Sequence, residues 1–214
     1  MPSRREFLDQ RRAIAQRRYD ELHAATYDED WGHINPSHAR FIDRMVALVP
    51  PGGRILDAAC GTGKYWPTLL AAGLDVYGVD QSRGMLERCA AKHPGVLTRL
   101  VALQDLATST DLRAAFDALI CVDAMENVGP EDWPIVLGGL RATLRPGAPA
   151  YLTVEITEEP VPLVEGLEPG EEVGAGYHYY PTDDAVDSWV AGAGFAVTAD
   201  EVGDDYRHLL VQAV

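Results

Sequence analysis

Basic residues are scarce in this chain. Eighteen Lys and Arg stand against 33 Asp and Glu, giving a formal charge of −15 over 214 residues. Nucleic-acid binding depends on Lys and Arg neutralising phosphates, so DNA and RNA are not expected partners, and neither is an anionic membrane surface. Cysteine is scarce too. Cys60, Cys89 and Cys121 are odd in number and far apart, and none belongs to a Cys-x-x-Cys pair. That spacing argues against a disulfide framework and against a zinc site, and it makes the reducing cytoplasm the expected compartment. There is no apolar run of the roughly 18 residues that a membrane span needs. The first twenty residues are Arg-rich and lack the apolar centre of a secretory signal.

Hydrophobic residues make up 47% of the chain, enough to bury a core, and the length suits one domain with an extension. Acidity is concentrated at the C-terminal end, where residues 151–214 hold fourteen Asp and Glu against Arg207 alone. A solvated acidic face accounts for this, and so does a field that favours neutral or cationic ligands. Glu158 to Gly176 contains three Pro and four Gly and runs into Tyr177-His178-Tyr179-Tyr180. Long breaker-rich segments are often functional lids, so residues 157–181 are expected to form a lid.

Apolar spacing predicts helices over Arg4–Ala24 and Pro36–Val49, the second stopped by Pro50-Pro51-Gly52-Gly53. Strands are predicted at Arg54–Ala58, Val76–Val79, Thr98–Leu103, Phe116–Val122 and Ala150–Ile156, with two more at Val197–Val202 and Leu209–Val214. Helices at Gly63–Ala72, Arg83–Lys92, Glu131–Leu144 and Thr182–Ala193 alternate with them. Apolar strands alternating with helices imply a mostly parallel sheet covered on both faces, an α/β fold of seven strands. Residues 1–48 are expected to be an N-terminal helical cover, and 49–214 the domain beneath it. Ligands in such sheets bind at the C-terminal strand ends, where the strand order reverses.

The first strand runs into Leu56-Asp57-Ala58-Ala59-Cys60-Gly61-Thr62-Gly63. Glycines at i and i+2 let the backbone turn sharply and approach a ligand. The second strand ends at Asp80, where an acid can take the hydroxyls of a ribose, although an ordinary helix cap would also place an acid there. Two ribose-bearing cofactors fit, a dinucleotide and S-adenosylmethionine. The dinucleotide fingerprint needs a third glycine, but here Trp66 stands three residues after Gly63. Asp57 would also repel a pyrophosphate and attract the amino group of a methionine moiety, which favours the sulfonium cofactor.

These stretches, together with Val76-Tyr77-Gly78-Val79-Asp80-Gln81-Ser82, Met85, Leu103-Gln104-Asp105-Leu106, Phe116 to Asp123 and Leu140 to Gly147, resemble the class I S-adenosylmethionine-dependent methyltransferases. The resemblance extends over about residues 40–214 and is similar in layout to small enzymes acting on quinones and natural products. It implies a Rossmann-like sandwich, methyl transfer to an oxygen or nitrogen of a small-molecule acceptor, and S-adenosylhomocysteine as product. It further implies that Gly61 and Gly63 line the cofactor, Asp80 binds its ribose, and Gln81, Met85, Asp105 and Leu106 meet the adenine. Asp123 and Tyr27 would reach the methionine end.

On the acceptor side, His178 and Glu126 are the candidate bases. Trp31, His33, Asn127, Glu155, Tyr177 and Tyr179 are the candidate substrate contacts. Aromatic faces among them would also suit a cation. The segment after the fifth strand, Glu155-Ile156-Thr157, lacks the Asp-Asn pair of the magnesium-dependent members, so no metal is expected. A monomer or homodimer is expected. A fold member that binds the cofactor without transfer, as a cyclase-type catalyst or a regulator, is the main alternative, and an NAD-dependent oxidoreductase is a lesser one.

Overall fold

The computed structural model describes residues 3–214. The chain forms α1 (Arg4–Arg18), a π-helical turn (Tyr19–His23), α2 (Tyr27–Trp31), α3 (Pro36–Val46), β1 (Arg54–Ala58), α4 (Trp66–Ala71), β2 (Asp75–Asp80) and α5 (Arg83–Lys92). There follow β3 (Leu97–Leu100), a 3-10 turn (Leu103–Thr108), β4 (Ala118–Cys121), α6 (Trp133–Thr143) and β5 (Pro149–Glu155). The chain closes with β6 (Glu171–Val173), β7 (Tyr177–Tyr179), α7 (Asp183–Gly192), β8 (Phe195–Gly203) and β9 (Tyr206–Ala213). Seven strands make one sheet in the order β3-β2-β1-β4-β5-β9-β8. Pairing is parallel from β3 through β5, and β9 is antiparallel to both β5 and β8. The order reverses between β1 and β4, which makes their C-terminal ends the site of a ligand crevice.

Period-two alternation sends each strand's side chains into two cores. Leu56, Leu119, Leu152 and Leu209 pack under α6 and α7, with Trp133, Leu137 and Val186. Ile55, Ile120, Tyr151 and Leu210 pack on the other face with Phe41 and Met45 of α3 and Trp66 and Leu69 of α4. Side chains are apolar on both faces because helices cover both. This is why the strands read as continuous apolar runs and why the expected α/β fold is the one observed.

The helix α2 was not expected, and β3 stops at Leu100 rather than at Leu103, which begins a 3-10 turn. The first helix does not continue as α-helix to Ala24 but widens into a π turn after Arg18. The wider turn lets Asp20 accept hydrogen bonds from Ser82 Oγ (2.7 Å) and from Gly84 N (3.0 Å), at the start of α5. Segment 157–181, expected as an irregular lid, contains an antiparallel hairpin in which Glu171 faces Tyr179 and Val173 faces Tyr177. Arg4 anchors this hairpin, reaching Glu171 (Nη1 to Oε2, 2.8 Å) and Glu131 (2.7 Å), while the Tyr177 hydroxyl donates to the same Glu171. A second latch joins Asp28 to Thr62 Oγ1 and Lys92 Nζ, both at 2.6 Å. The segment from α1 through α2 is therefore tied down by Arg4 at its start and by Asp28 near its end, with Arg12, Tyr19 and Tyr27 over the crevice.

Gly78 on β2 leaves room for the Trp66 ring. A Cβ there would lie 2.5 Å from Trp66 Cζ2 and 2.8 Å from Cys60 Sγ, both on buried side chains. Gly78→Ala is expected to destabilise the protein by about 1–3 kcal/mol through overpacking, lowering Tm by roughly 2–4 °C per kcal/mol. An unchanged urea midpoint would contradict this packing.

Candidate functional site

The turn after β1 is built from left-handed residues: Ala59 (φ 63°), Gly61 (φ 53°) and Gly63 (φ 76°). This conformation carries the chain back over β2, where Gly61 N–H donates to Asp80 Oδ2 at 2.9 Å and Ser82 N–H donates to Asp80 Oδ1 at 2.8 Å. Burial pushes the Asp80 carboxyl up, against those N–H groups, which favour its charged form. A narrow cleft opens above, bordered by Gly61, Asp80, Gln81, Met85, Gln104, Asp123 and Asn127 and roofed by Arg12, Tyr19 and Tyr27. A Cβ on Gly61 would stand 3.3 Å from Met85 Cε and 4.0 Å from Tyr27 Cε1, so the missing side chain helps to hold the cleft open. The bare backbone, the carboxylate at the end of β2 and the flanking Met85 fit a nucleoside whose ribose reaches Asp80.

A second chamber, of about 410 Å³, adjoins the first and shares Tyr19, Tyr27 and Asp123 with it. Asp123 leaves β4 in a left-handed conformation (φ 52°), a strained geometry for a residue with a Cβ. Three donors over-determine it: His38 Nε2 at 2.9 Å, Tyr65 OH at 3.1 Å and Lys64 Nζ at 3.3 Å. Burial alone would raise the Asp123 carboxyl. The His38 hydrogen bond and the His38 and Lys64 charges outweigh it and hold the group below the usual range, so it stays ionised.

Farther in, Glu126 accepts from Asn127 Nδ2 at 2.9 Å. Burial, with repulsion from Glu155 and Asp123, pushes its carboxyl up to about 8. Burial and Asp123 raise Glu155 as well. His178 lies across the chamber with its Nδ1 3.2 Å from the Tyr180 hydroxyl, and burial lowers its pKa. Among the described residues no group of three or more His, Cys, Asp or Glu side chains is disposed to hold a metal ion.

Of the residues singled out from the sequence, Tyr27, Gly61, Asp80, Gln81, Met85, Asp123 and Asn127 border the first cleft. Trp31, His33, Glu126, Glu155 and His178 border the second. The others stand elsewhere. Asp57 is buried and accepts from Trp66 Nε1 at 2.7 Å. Gly63 abuts His93, Trp66 and Cys89 beneath the turn. Leu106 is buried, and Asp105 lies in an outer groove, 3.5 Å from Arg12. Tyr177 and Tyr179 are buried because alternation along β7 turns them inward and leaves His178 facing the chamber. Residues given no role from the sequence also contribute: Arg12, Tyr19, Leu103 and Gln104 on the first cleft, and Arg18, Asp30, Lys64 and Tyr206 on the second. Gln104 adjoins Asp105 in the same motif and was within reach of the sequence reading. Tyr206 and Arg18 come from opposite ends of the chain, and no local pattern marks them.

Residues 55–147 match the family model for a methyltransferase domain. A ubiquinone biosynthesis O-methyltransferase of Chromobacterium violaceum is 32% identical over 140 residues, 59% of this chain and 58% of the relative. The chain spans about half the length of the curated relatives it matches. An amino pentose methyltransferase of Micromonospora echinaspora, determined with S-adenosylmethionine bound, superposes with a TM-score of 0.69 at 22% identity, covering 91% of this chain and 97% of the other. Magnesium protoporphyrin IX methyltransferase of Synechocystis PCC 6803 superposes at 0.68 with 17% identity, covering 94% and 96%. At these identities the structural likeness concerns the methyltransferase fold.

Under the domain's glycine turn, burial lifts the Asp57 carboxyl to about 7 from 3.8, with the Trp66 N–H opposing and Asp80 adding repulsion. The folded state thus holds this proton more tightly than the unfolded chain does. Its stabilising contribution is full below about pH 4 and is lost as pH rises to about 7. In Asp57→Asn the amide oxygen can still accept the indole N–H without titrating. Between pH 4 and 8 wild type is expected to lose on the order of 2–4 kcal/mol more stability than this variant. Parallel stability curves in urea titrations across that range would contradict the assignment.

Proposed function

We propose that this chain is an S-adenosylmethionine-dependent methyltransferase that methylates an oxygen or nitrogen of a small-molecule acceptor. The observation that carries the reading is the meeting of two compartments at Tyr19, Tyr27 and Asp123. One is shaped for a nucleoside and the other is large enough for a metabolite. The cofactor supplies an electrophilic methyl group on a sulfonium. Asp80 accepts from the ribose hydroxyls, Gly61 lets the backbone come close, and Met85, Gln81 and Gln104 border the base. Asp123, held ionised by His38 and Lys64, places negative charge at the junction, where a cationic sulfonium and amino group are favoured. Positioning the acceptor in line with the methyl supplies much of the rate, with Glu126 or His178 removing a proton where the acceptor carries one.

The −15 charge supports a small acceptor over a nucleic acid. Three free, buried cysteines suit a reducing cytoplasm. No described helix is long and apolar enough to cross a membrane.

Calorimetric titration with S-adenosylhomocysteine, beside NAD, tests the donor half. Micromolar binding of the homocysteine is expected, weakened at least about tenfold in Asp80→Ala through loss of hydrogen bonds to a charged group. Binding of NAD alone, or an Asp80→Ala variant with undiminished affinity, would overturn the reading. Binding without any methylated product across a broad acceptor screen would favour a cofactor-binding regulator instead.

A further inference from the structure

The acceptor chamber holds an unbalanced charge. Asp123 is matched by Lys64, His38 and Tyr65. Arg18 also lines the chamber, with the His23 ring at 3.3 Å, and is not among the groups that act on Glu126 or Glu155. Glu126 and Glu155 are different. They rise from the C-terminal ends of neighbouring strands, Glu126 on the 3-10 turn after β4 (Met125–Asn127) and Glu155 as the last residue of β5. Glu126 receives one neutral amide, from Asn127. The neighbours that act on Glu155 are acids, namely Asp123, Asp205 and Glu172, and no cation is among them. Carboxylates drawn out of water are costly until a cation joins them.

Aromatic walls add a second, independent feature of the same chamber. Tyr27 and Trp31 lie 5.5 Å apart, centroid to centroid, and Tyr206 lines the chamber with them. Aromatic faces favour a cation by their quadrupoles. A divalent metal would need a ligand group that the described residues do not form. The remaining complement to paired carboxylates and aromatic faces is an organic ammonium.

We propose that the acceptor is a primary or secondary aliphatic amine, which enters as its ammonium between Glu126 and Glu155 and is methylated on that nitrogen. This rests on the methyl-transfer reading and narrows it. The ammonium gives one proton to the Glu126 carboxylate. The freed nitrogen lone pair then forms the N–CH3 bond as the C–S bond of the sulfonium breaks. The C–S electron pair stays on sulfur as a neutral thioether, and the product leaves as a methylated ammonium. The raised affinity of Glu126 for protons, caused by burial and by Glu155, suits a group that takes a proton from an amine near neutral pH. Acceptors carrying a carboxylate at the reacting end are repelled by the same pair.

The test is calorimetry of the full chain with hexylamine, 2-phenylethylamine and tyramine, each beside the alcohol and the carboxylic acid of the same skeleton. It is run with and without saturating S-adenosylhomocysteine. The amines are expected to bind at least about tenfold more tightly than the alcohols, and the acids more weakly still. Glu155→Gln and Glu126→Gln should each erase most of that preference while leaving S-adenosylhomocysteine affinity unchanged. Both variants should keep or raise Tm, since each replaces a carboxyl whose ionisation burial opposes with a neutral amide. Equal binding of amine, alcohol and acid, absence of amine binding up to millimolar concentration, or a preference that survives both variants would overturn the amine assignment. Loss of S-adenosylhomocysteine binding in wild type would instead strike the methyl-transfer reading.

Discussion

The Asp80 carboxylate joins the ends of two strands. One oxygen takes the Gly61 N–H from the turn after β1, and the other takes the Ser82 N–H at the start of α5. Most of what surrounds the cleft follows from that clamp. It holds the left-handed turn in place and sets the spacing between backbone and Met85. It also fixes the start of α5, onto which Asp20 docks through Ser82 and Gly84. Gly84 allows that docking, since a Cβ there would lie 2.9 Å from the Asp20 carbonyl oxygen. The roof of the cleft is thus positioned by the same few residues that form its floor.

The acids fall into two groups. Asp20, Asp28, Glu171 and Asp132 meet hydroxyls, backbone N–H groups, lysine or arginine, and they fasten the N-terminal segment and the hairpin to the domain. Glu126 and Glu155 meet almost nothing that compensates them and border open volume. Asp123 stands between the groups, with full compensation from His38, Lys64 and Tyr65 but a strained backbone and a place on both compartments. The first group fastens segments together, and the uncompensated pair borders open volume.

Much of the fold was legible because parallel strands buried on both faces read as apolar runs. Helix α5 occupies the predicted Arg83–Lys92, bounded by Ser82, whose hydroxyl accepts from Met85 N. Thr182 likewise caps α7. The hairpin of β6 and β7 was not legible. Its strands are three residues long and lie among prolines and glycines, and its stability comes from Arg4, 167 residues away. The same distance effect hid the π turn, whose form depends on Asp20 reaching α5. Within the site, the strand-end residues Asp80 and Asp123 could be placed from the sheet pattern alone. Asp57 could not, because its neighbour across the turn, Trp66, claims it through the indole N–H. Tyr177 and Tyr179 depended on knowing that their segment is a strand, where alternate residues face opposite ways.

A structure of the protein with bound S-adenosylhomocysteine tests the two-compartment account most directly. The account predicts ribose hydroxyls on Asp80, adenine beside Met85 and Gln104, and the sulfur at the junction of Tyr27 and Asp123, facing Glu126 and Glu155. A ligand seated in the outer groove beside Arg99 and Asp105, or a sulfur turned away from the second chamber, would contradict it.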